Sequence, residues 1–365
     1  MVLLKDNPIL TGTVVLDLAY FWLMMYINLG YTIIIAMVMT ALCTGCANKD
    51  HGPPPTDYFT SFEKGVQDGG IRRIKIGTPK DSFYVWTKQV GNNPKLRVLL
   101  LTGGPGCTHE YFECFESFFP RHDIEFIYYD QLGCGFSDNP NDTALWDLSR
   151  YVDELEQVRE ALHLDSTNCV LLGHSWGGIL AMEYAMQYQD KLKGLVISNM
   201  MSSCPDYGKY ADEVLALQMD TDVLREITAL EAANDFSNPR YMQLLNEHYY
   251  QQHICKIPLK DWPDPVNRSF AGLNSSLYVT MQGPSEFGIA GKLTNWDRSK
   301  EMKNIHIPCL TIGAKDDTMD PAHMKWMAEQ MPKGAHVYCP NGSHMSFYDD
   351  QQVYFQGLIG WLKKI

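Results

Sequence analysis

The chain reads as an α/β fold built on a mostly parallel sheet, and three observations carry that reading. Short, continuously apolar runs, RVLLL at 97–101, IEFIYYD at 124–130 and CVLL at 169–172, each lead into a glycine-containing loop, as expected of strands covered on both faces by helices. A helical segment follows the second run: Leu148, Val152, Leu155, Val158 and Leu162 lie four, three, three and four residues apart and share one face. The strand–helix alternation, with the right-handed crossovers parallel strands require, pauses after about residue 200 and resumes near residue 309.

Composition bounds the function. A chain of 365 residues, 45% hydrophobic and 20% charged, can bury a large core in one domain or in one domain with an insertion. The net charge of −13, with no Lys/Arg-rich run, argues against nucleic acid as a partner. Of the ten cysteines only Cys43 and Cys46 are spaced as metal ligands, and both lie in an apolar leader, so neither a zinc site nor a disulfide framework is indicated.

Residues 1–50 form that leader. The stretch YTIIIAMVMTAL at 31–42, followed by small residues before Cys46, resembles a bacterial lipoprotein signal with Cys46 as the lipid-carrying residue. The whole apolar stretch from Thr11 to Cys46, broken by Asp17, Asn28 and Gly30, is also long enough to span a bilayer as an uncleaved anchor, and a start at Met24 or Met25 is a third reading. Either of the first two places the remaining chain in the cell envelope, outside the cytoplasm, with the membrane touched through this segment alone. Residues 51–58, with three consecutive prolines, read as a linker.

The first part of the core is expected over 59–199. It opens on an antiparallel hairpin, IRRIKIG and DSFYVWTKQV around Thr78-Pro79-Lys80. Strands at 97–101, 124–130, 169–174 and 193–198 follow, with helices at 148–162 and 179–189. From 200 to 296 the pattern becomes helical, for instance at 211–219 and 223–233, with aromatics interleaved. This predicts a helical cap inserted after the strand that follows Ser175. The second part of the core, 297–365, is expected to hold strands at 309–314 and 335–339 and helices at 324–331 and 352–364.

Gly173-His174-Ser175-Trp176-Gly177 stands between a strand and a helix. Glycines on both sides of a serine in that position fit a nucleophile elbow, a turn too tight for flanking side chains that thrusts the hydroxyl out at a helix N-terminus. The loop Thr102–Gly106 follows an early strand, where an α/β-hydrolase supplies its second oxyanion donor. The backbone N–H groups of Gly104 and of Trp176, the residue after the nucleophile, are therefore the expected pair. No Lys-Ser/Thr follows the glycines, which disfavours a phosphate loop. In this fold the acid and then the base come after the serine. Asp316, Asp317 and Asp320 end a late strand, and His344 follows the next one. Adjacent residues at a strand end face opposite ways, so only one of Asp316 and Asp317 can reach His344.

Five stretches together carry a family resemblance: Gly103-Gly104-Pro105-Gly106; Asp130-Gln131 with Gly133 and Gly135; Gly173-His174-Ser175-Trp176-Gly177-Gly178; Gly283-Pro284-Ser285-Glu286-Phe287; and Gly342-Ser343-His344. From about Phe59 onward the chain resembles the prolyl aminopeptidase (proline iminopeptidase) family of α/β-hydrolases. The resemblance implies Ser175, Asp317 and His344 as the catalytic set, with the family's spacing selecting Asp317 over Asp316. It implies Glu286 as a carboxylate that binds the free amino terminus of the substrate. The implied activity is a serine exopeptidase releasing N-terminal residues, preferentially proline, from short peptides, with no metal or organic cofactor. Two departures stand out: Thr102 replaces the histidine that usually begins the glycine loop, and Thr318 replaces a second glutamate found in some relatives. The second departure leaves Asp316 or Asp320 as candidates for a further amine ligand. The rival readings are an esterase or amidase on the same scaffold and a non-catalytic peptide-binding lipoprotein. An epoxide hydrolase would need an aspartate where Ser175 stands.

Overall fold

The computed structural model describes residues 69–365. The leader with Cys46, the linker 51–58 and the first residues of the expected core lie outside the described residues, and no helix among the described residues is long and apolar enough to cross a membrane.

Eight strands form one sheet in the order β1-β2-β4-β3-β5-β6-β7-β8. The hairpin is β1 (Ile71–Gly77) and β2 (Ser82–Val90), and β2 pairs antiparallel with β4 (Glu125–Asp130). From β4 onward all pairing is parallel, through β3 (Arg97–Leu101), β5 (Cys169–His174), β6 (Gly194–Ser198), β7 (Cys309–Ala314) and β8 (Gly334–Cys339).

The apolar runs are explained by burial on both faces. Along β3, Leu99 and Leu101 pack with Leu171, Leu195 and Ile197 on one side, while Val98 and Leu100 pack with Val170, Leu172 and Val196 on the other. With side chains alternating between faces, every position of β5 and β6 meets a core. Edge strand β1 instead alternates exposed and buried residues.

Chain order reverses at β3, which lies between β4 and β5. Such a switch point opens a crevice beyond the carboxyl ends of the strands, where ligands bind in open α/β sheets. It sets the loop after β3 beside the turn after β5, with Leu101 in register with Gly173.

Helix α1 (Leu148–Ala161) is capped by Asp147, whose side chain accepts from Ser149 N. Helix α2 (Trp176–Tyr188) begins immediately after Ser175, three residues earlier than the apolar spacing suggests, because the elbow itself is the helix entry. Between β6 and β7 the chain forms a helical layer that includes α3 (Cys204–Tyr210), α4 (Thr221–Ala232), α5 (Pro239–Leu245), α6 (Asp264–Ala271) and α7 (Ser275–Met281). Its base is pinched shut by the antiparallel bridge Ser203–Asp297, with Cys204 N donating to Trp296 O at 2.8 Å and Arg298 N to Ser202 O at 2.8 Å.

The expected helix at 211–219 differs: a π-helical turn, Ala211–Leu215, passes into a 3-10 turn, Ala216–Gln218. Ala211, Leu215 and Ala216 are buried along it. Helix α8 (Pro321–Gln330) also starts earlier than its apolar residues suggest, because Asp320 caps it and Pro321 takes its first position. Helix α9 (Gln351–Leu362) closes the chain.

Candidate active site

The turn after β5 shows why its glycines are required. Ser175 has φ 55° and ψ −126°, a strained conformation for a residue with a Cβ. A methyl group on Gly173 would collide with the carbonyl oxygen of Gly177, one on Gly177 with that of Leu101, and one on Gly178 would come within 2.7 Å of Met200 Cβ. The strand, the elbow and α2 can pack this closely only without those side chains.

Ser175 lines a cavity together with Gly103, Gly104, Glu286 and His344. The cavity thus joins the end of β3, the elbow, the cap and the loop after β8. Gly104 has φ 105°, and a side chain there would meet Gly106 N at 2.7 Å, so the loop needs glycine to bend as it does. Trp176 is the first residue of α2, so its N–H is among those a helix leaves without an internal partner.

Behind the cavity, His344 Nδ1 lies 2.7 Å from Asp317 Oδ1. Asp317 is fully buried and also accepts from Asn199 Nδ2 at 2.6 Å and Met319 N at 3.1 Å. These partners hold the carboxylate toward Nδ1 and leave Nε2 of His344 free of Asp317. The histidine loop is tied to the cap: His344 N donates to His253 O at 2.9 Å and Met345 N to Ile254 O at 2.8 Å. Burial opposes a charged His344, but Asp317, with Glu286 and Asp349 behind it, outweighs burial and raises its pKa above the ordinary value.

Glu286 is half-buried and held by four cap tyrosines. Tyr207 and Tyr249 donate to its carbonyl oxygen at 2.6 and 3.3 Å, its N–H donates to Tyr250 Oη at 3.1 Å, and Tyr278 donates to Oε1 at 2.7 Å. Burial raises the pKa of its carboxyl, against the pull of His344 and Tyr278, while Asp317 adds to the rise.

Neither proposed second acid reaches the cavity, which corrects the expectation for that ligand. Asp316 pairs with Lys256 Nζ at 2.5 Å near the surface, and Asp320 is committed to Ala322 N at the start of α8. Thr318 is buried with its hydroxyl 3.2 Å from His344 Nδ1. Among the described residues Glu286 is the one carboxylate lining the cavity.

The other departure is answered by Gln131. Its Nε2 donates to both O and Oγ1 of Thr102 at 3.3 Å, and its Oε1 accepts from Trp176 Nε1 at 2.9 Å. One buried amide thus ties the glycine loop to the elbow where a loop histidine is absent.

Asn199, the cap tyrosines and the role of Gln131 escape a reading of the chain by motif. The signal for Asn199 is its place directly after an apolar strand, where it takes φ 53°. Among the described residues the cysteines are all free, and no three His, Cys, Asp or Glu side chains are grouped to hold a metal.

Fold and site together are those of a serine hydrolase built on the α/β-hydrolase scaffold, and the family model described as the alpha/beta hydrolase fold matches residues 97–351. A proline iminopeptidase of Flavobacterium johnsoniae is 54% identical over 80% of this chain and 98% of its own length. One from Elizabethkingia meningoseptica is 53% identical, with the same coverage of both chains. The crystal structure of a proline iminopeptidase from Mycobacterium smegmatis superposes with a TM-score of 0.69 at 25% identity, over 80% of this chain and 98% of that one. The chain belongs to the proline iminopeptidase family.

Proposed function

We propose that the protein is a serine exopeptidase that releases N-terminal residues, preferentially proline, from short peptides through an acyl-enzyme. The observation that carries this reading is Glu286 in the same cavity as Ser175 and His344. A protonated amino terminus that sheds its water to enter a closed site must meet a negative charge. The relatives named proline iminopeptidase support proline as the preferred residue.

In this mechanism His344 Nε2 takes the Ser175 proton as Oγ attacks the carbonyl carbon of the N-terminal residue. The oxyanion is met by the N–H groups of Gly104 and Trp176. His344 then gives the proton to the leaving amine as the C–N bond breaks, and water repeats the sequence on the acyl-enzyme. Asp317 keeps the imidazole proton on Nδ1 and stabilises the imidazolium that forms.

The test is a panel of aminoacyl aryl-amides with free and acetylated amino termini, together with amine-blocked esters. The prolyl amide with a free amine is the expected best substrate, and the acetylated form should be inert. Glu286→Gln is expected to lower kcat/KM on free-amine substrates by about 10²- to 10³-fold, the cost of leaving a desolvated charge without its partner. Hydrolysis of amine-blocked esters should be unaffected at alkaline pH, where His344 is neutral in both proteins. Equal loss on both classes would make Glu286 structural and leave a general esterase.

The pH profile supplies a second test. His344 must be neutral to act as base, and Asp317 and Glu286 favour its charged form. Activity should therefore rise with pH through a value above the ordinary histidine pKa of about 6.5. Removing the Glu286 charge should move that rise to lower pH, and an upward shift in the Glu286→Gln profile would contradict the assignment.

A further inference from the structure

Tyr111 and His174 take no part in the chemistry above, yet both line the cavity and both are buried. The direction of every hydrogen bond between them is set by the groups at the two ends. Gly103 N lies 2.6 Å from Tyr111 Oη, and a backbone N–H can only donate, so the phenol oxygen accepts. His174 Nε2 lies 2.9 Å from the carbonyl oxygen of His344, and a carbonyl can only accept, so Nε2 carries the proton. Nδ1 of the neutral ring is then an acceptor. It lies 3.3 Å from Tyr111 Oη, whose single proton remains to fill it. The run therefore has one order: Gly103 N–H to Tyr111, Tyr111 O–H to His174, His174 Nε2–H to His344 C=O.

The surroundings make this run stiff. The Tyr111 ring sits 4.4 Å from Phe112 and 5.9 Å from Phe347, centroid to centroid, and the His174 ring 4.7 Å from that of His344. A charged His174 would turn a second donor against the Tyr111 hydroxyl. Burial and the His344 ring hold its pKa well below the ordinary value.

Each end of the run touches a working part of the site. A Cβ on Gly103 would stand 3.0 Å from Ser175 Cβ, so this residue sets how near the glycine loop comes to the nucleophile. The other end is the backbone of the base itself. We propose that Tyr111 and His174 are positioning residues, a proton-ordered strut that fixes the oxyanion loop to the loop bearing His344 so that Ser175 meets both in one geometry.

The inference rests on serine-hydrolase chemistry and not on the choice of substrate. The full chain carrying Tyr111→Phe, His174→Leu or His174→Gln is compared with wild type in two ways: kcat and KM on a prolyl aryl-amide, and the rate of Ser175 labelling by a fluorophosphonate. Tyr111→Phe and His174→Leu are expected to lose about tenfold or more in kcat and in labelling rate, the effect of one buried hydrogen bond missing from the reactive geometry. KM should stay within about twofold. His174→Gln, which keeps an N–H for the His344 carbonyl, should recover part of the loss.

Rates within about twofold of wild type in Tyr111→Phe and His174→Leu overturn the proposal, as does a His174→Gln variant no better than His174→Leu, or a rise in KM that matches the fall in kcat. If His174→Leu does not fold, Tyr111→Phe and His174→Gln decide by the same rates. Labelling without hydrolysis of any aminoacyl amide in wild type would refute the peptidase reading and leave the strut to be judged on labelling alone.

Discussion

Replacing Ser175 by alanine is expected to lower kcat on a prolyl aryl-amide by about 10⁵- to 10⁶-fold and to abolish fluorophosphonate labelling. Loss of the nucleophile in a serine hydrolase removes nearly everything except what the oxyanion donors and binding retain. The variant should fold normally. The elbow is held by backbone contacts, Ser175 N to Ser198 O at 3.1 Å and Gly178 N to Ser175 O at 2.7 Å, which alanine preserves. Steady-state kinetics on protein with an unchanged thermal transition checks this, and a loss below about a hundredfold would mean that another group attacks the carbonyl.

The second large effect is expected at Asp317. Asp317→Asn should reduce kcat by about 10⁴-fold, because an amide that donates to Nδ1 leaves the imidazole proton on Nε2, facing the serine it ought to deprotonate. The surroundings strengthen the expectation. Asn199 Nδ2 and Met319 N both donate to this carboxylate, so an asparagine would have to turn its own N–H₂ toward one donor or another. Asp316→Asn is the internal control. It removes a surface pair with Lys256, of the kind worth about 1 kcal/mol or less, and should keep kcat within about twofold. If the two variants behave alike, the assignment of the acid is wrong.

The contrast between these neighbours shows what was legible in the chain and what was not. That an acid stands at the end of β7 follows from an apolar run ending in Asp316 and Asp317, and that one of the two faces away follows from alternation. Which one faces His344 does not follow from either, and only the resemblance of motifs selected Asp317. Asp320 looked available as an amine ligand, yet its side chain is taken by the first turn of α8. A proline directly after it, at the head of a helical segment, is the local sign that such an aspartate is a cap.

Glu286 could be singled out by its motif, but the four tyrosines around it could not. They come from residues 207 to 278, scattered over a cap whose helices carry no common pattern. The same holds for Gln131, whose amide reaches back to Thr102 and forward to Trp176.

What the sequence by itself determined is therefore what short-range physics encodes. Buried strands require unbroken apolar runs, a sharp strand-to-helix turn excludes side chains at Gly173 and Gly177, and chain order places Ser175 before the acid and His344 after it. Tertiary structure decided the parts that depend on partners far apart in the chain. The bond of Asn199 to Asp317 spans 118 residues and that of His174 to His344 spans 170. A buried polar group must find a partner, but nothing in the local pattern says which, because that choice is made only when the sheet, the cap and the loops close on one cavity.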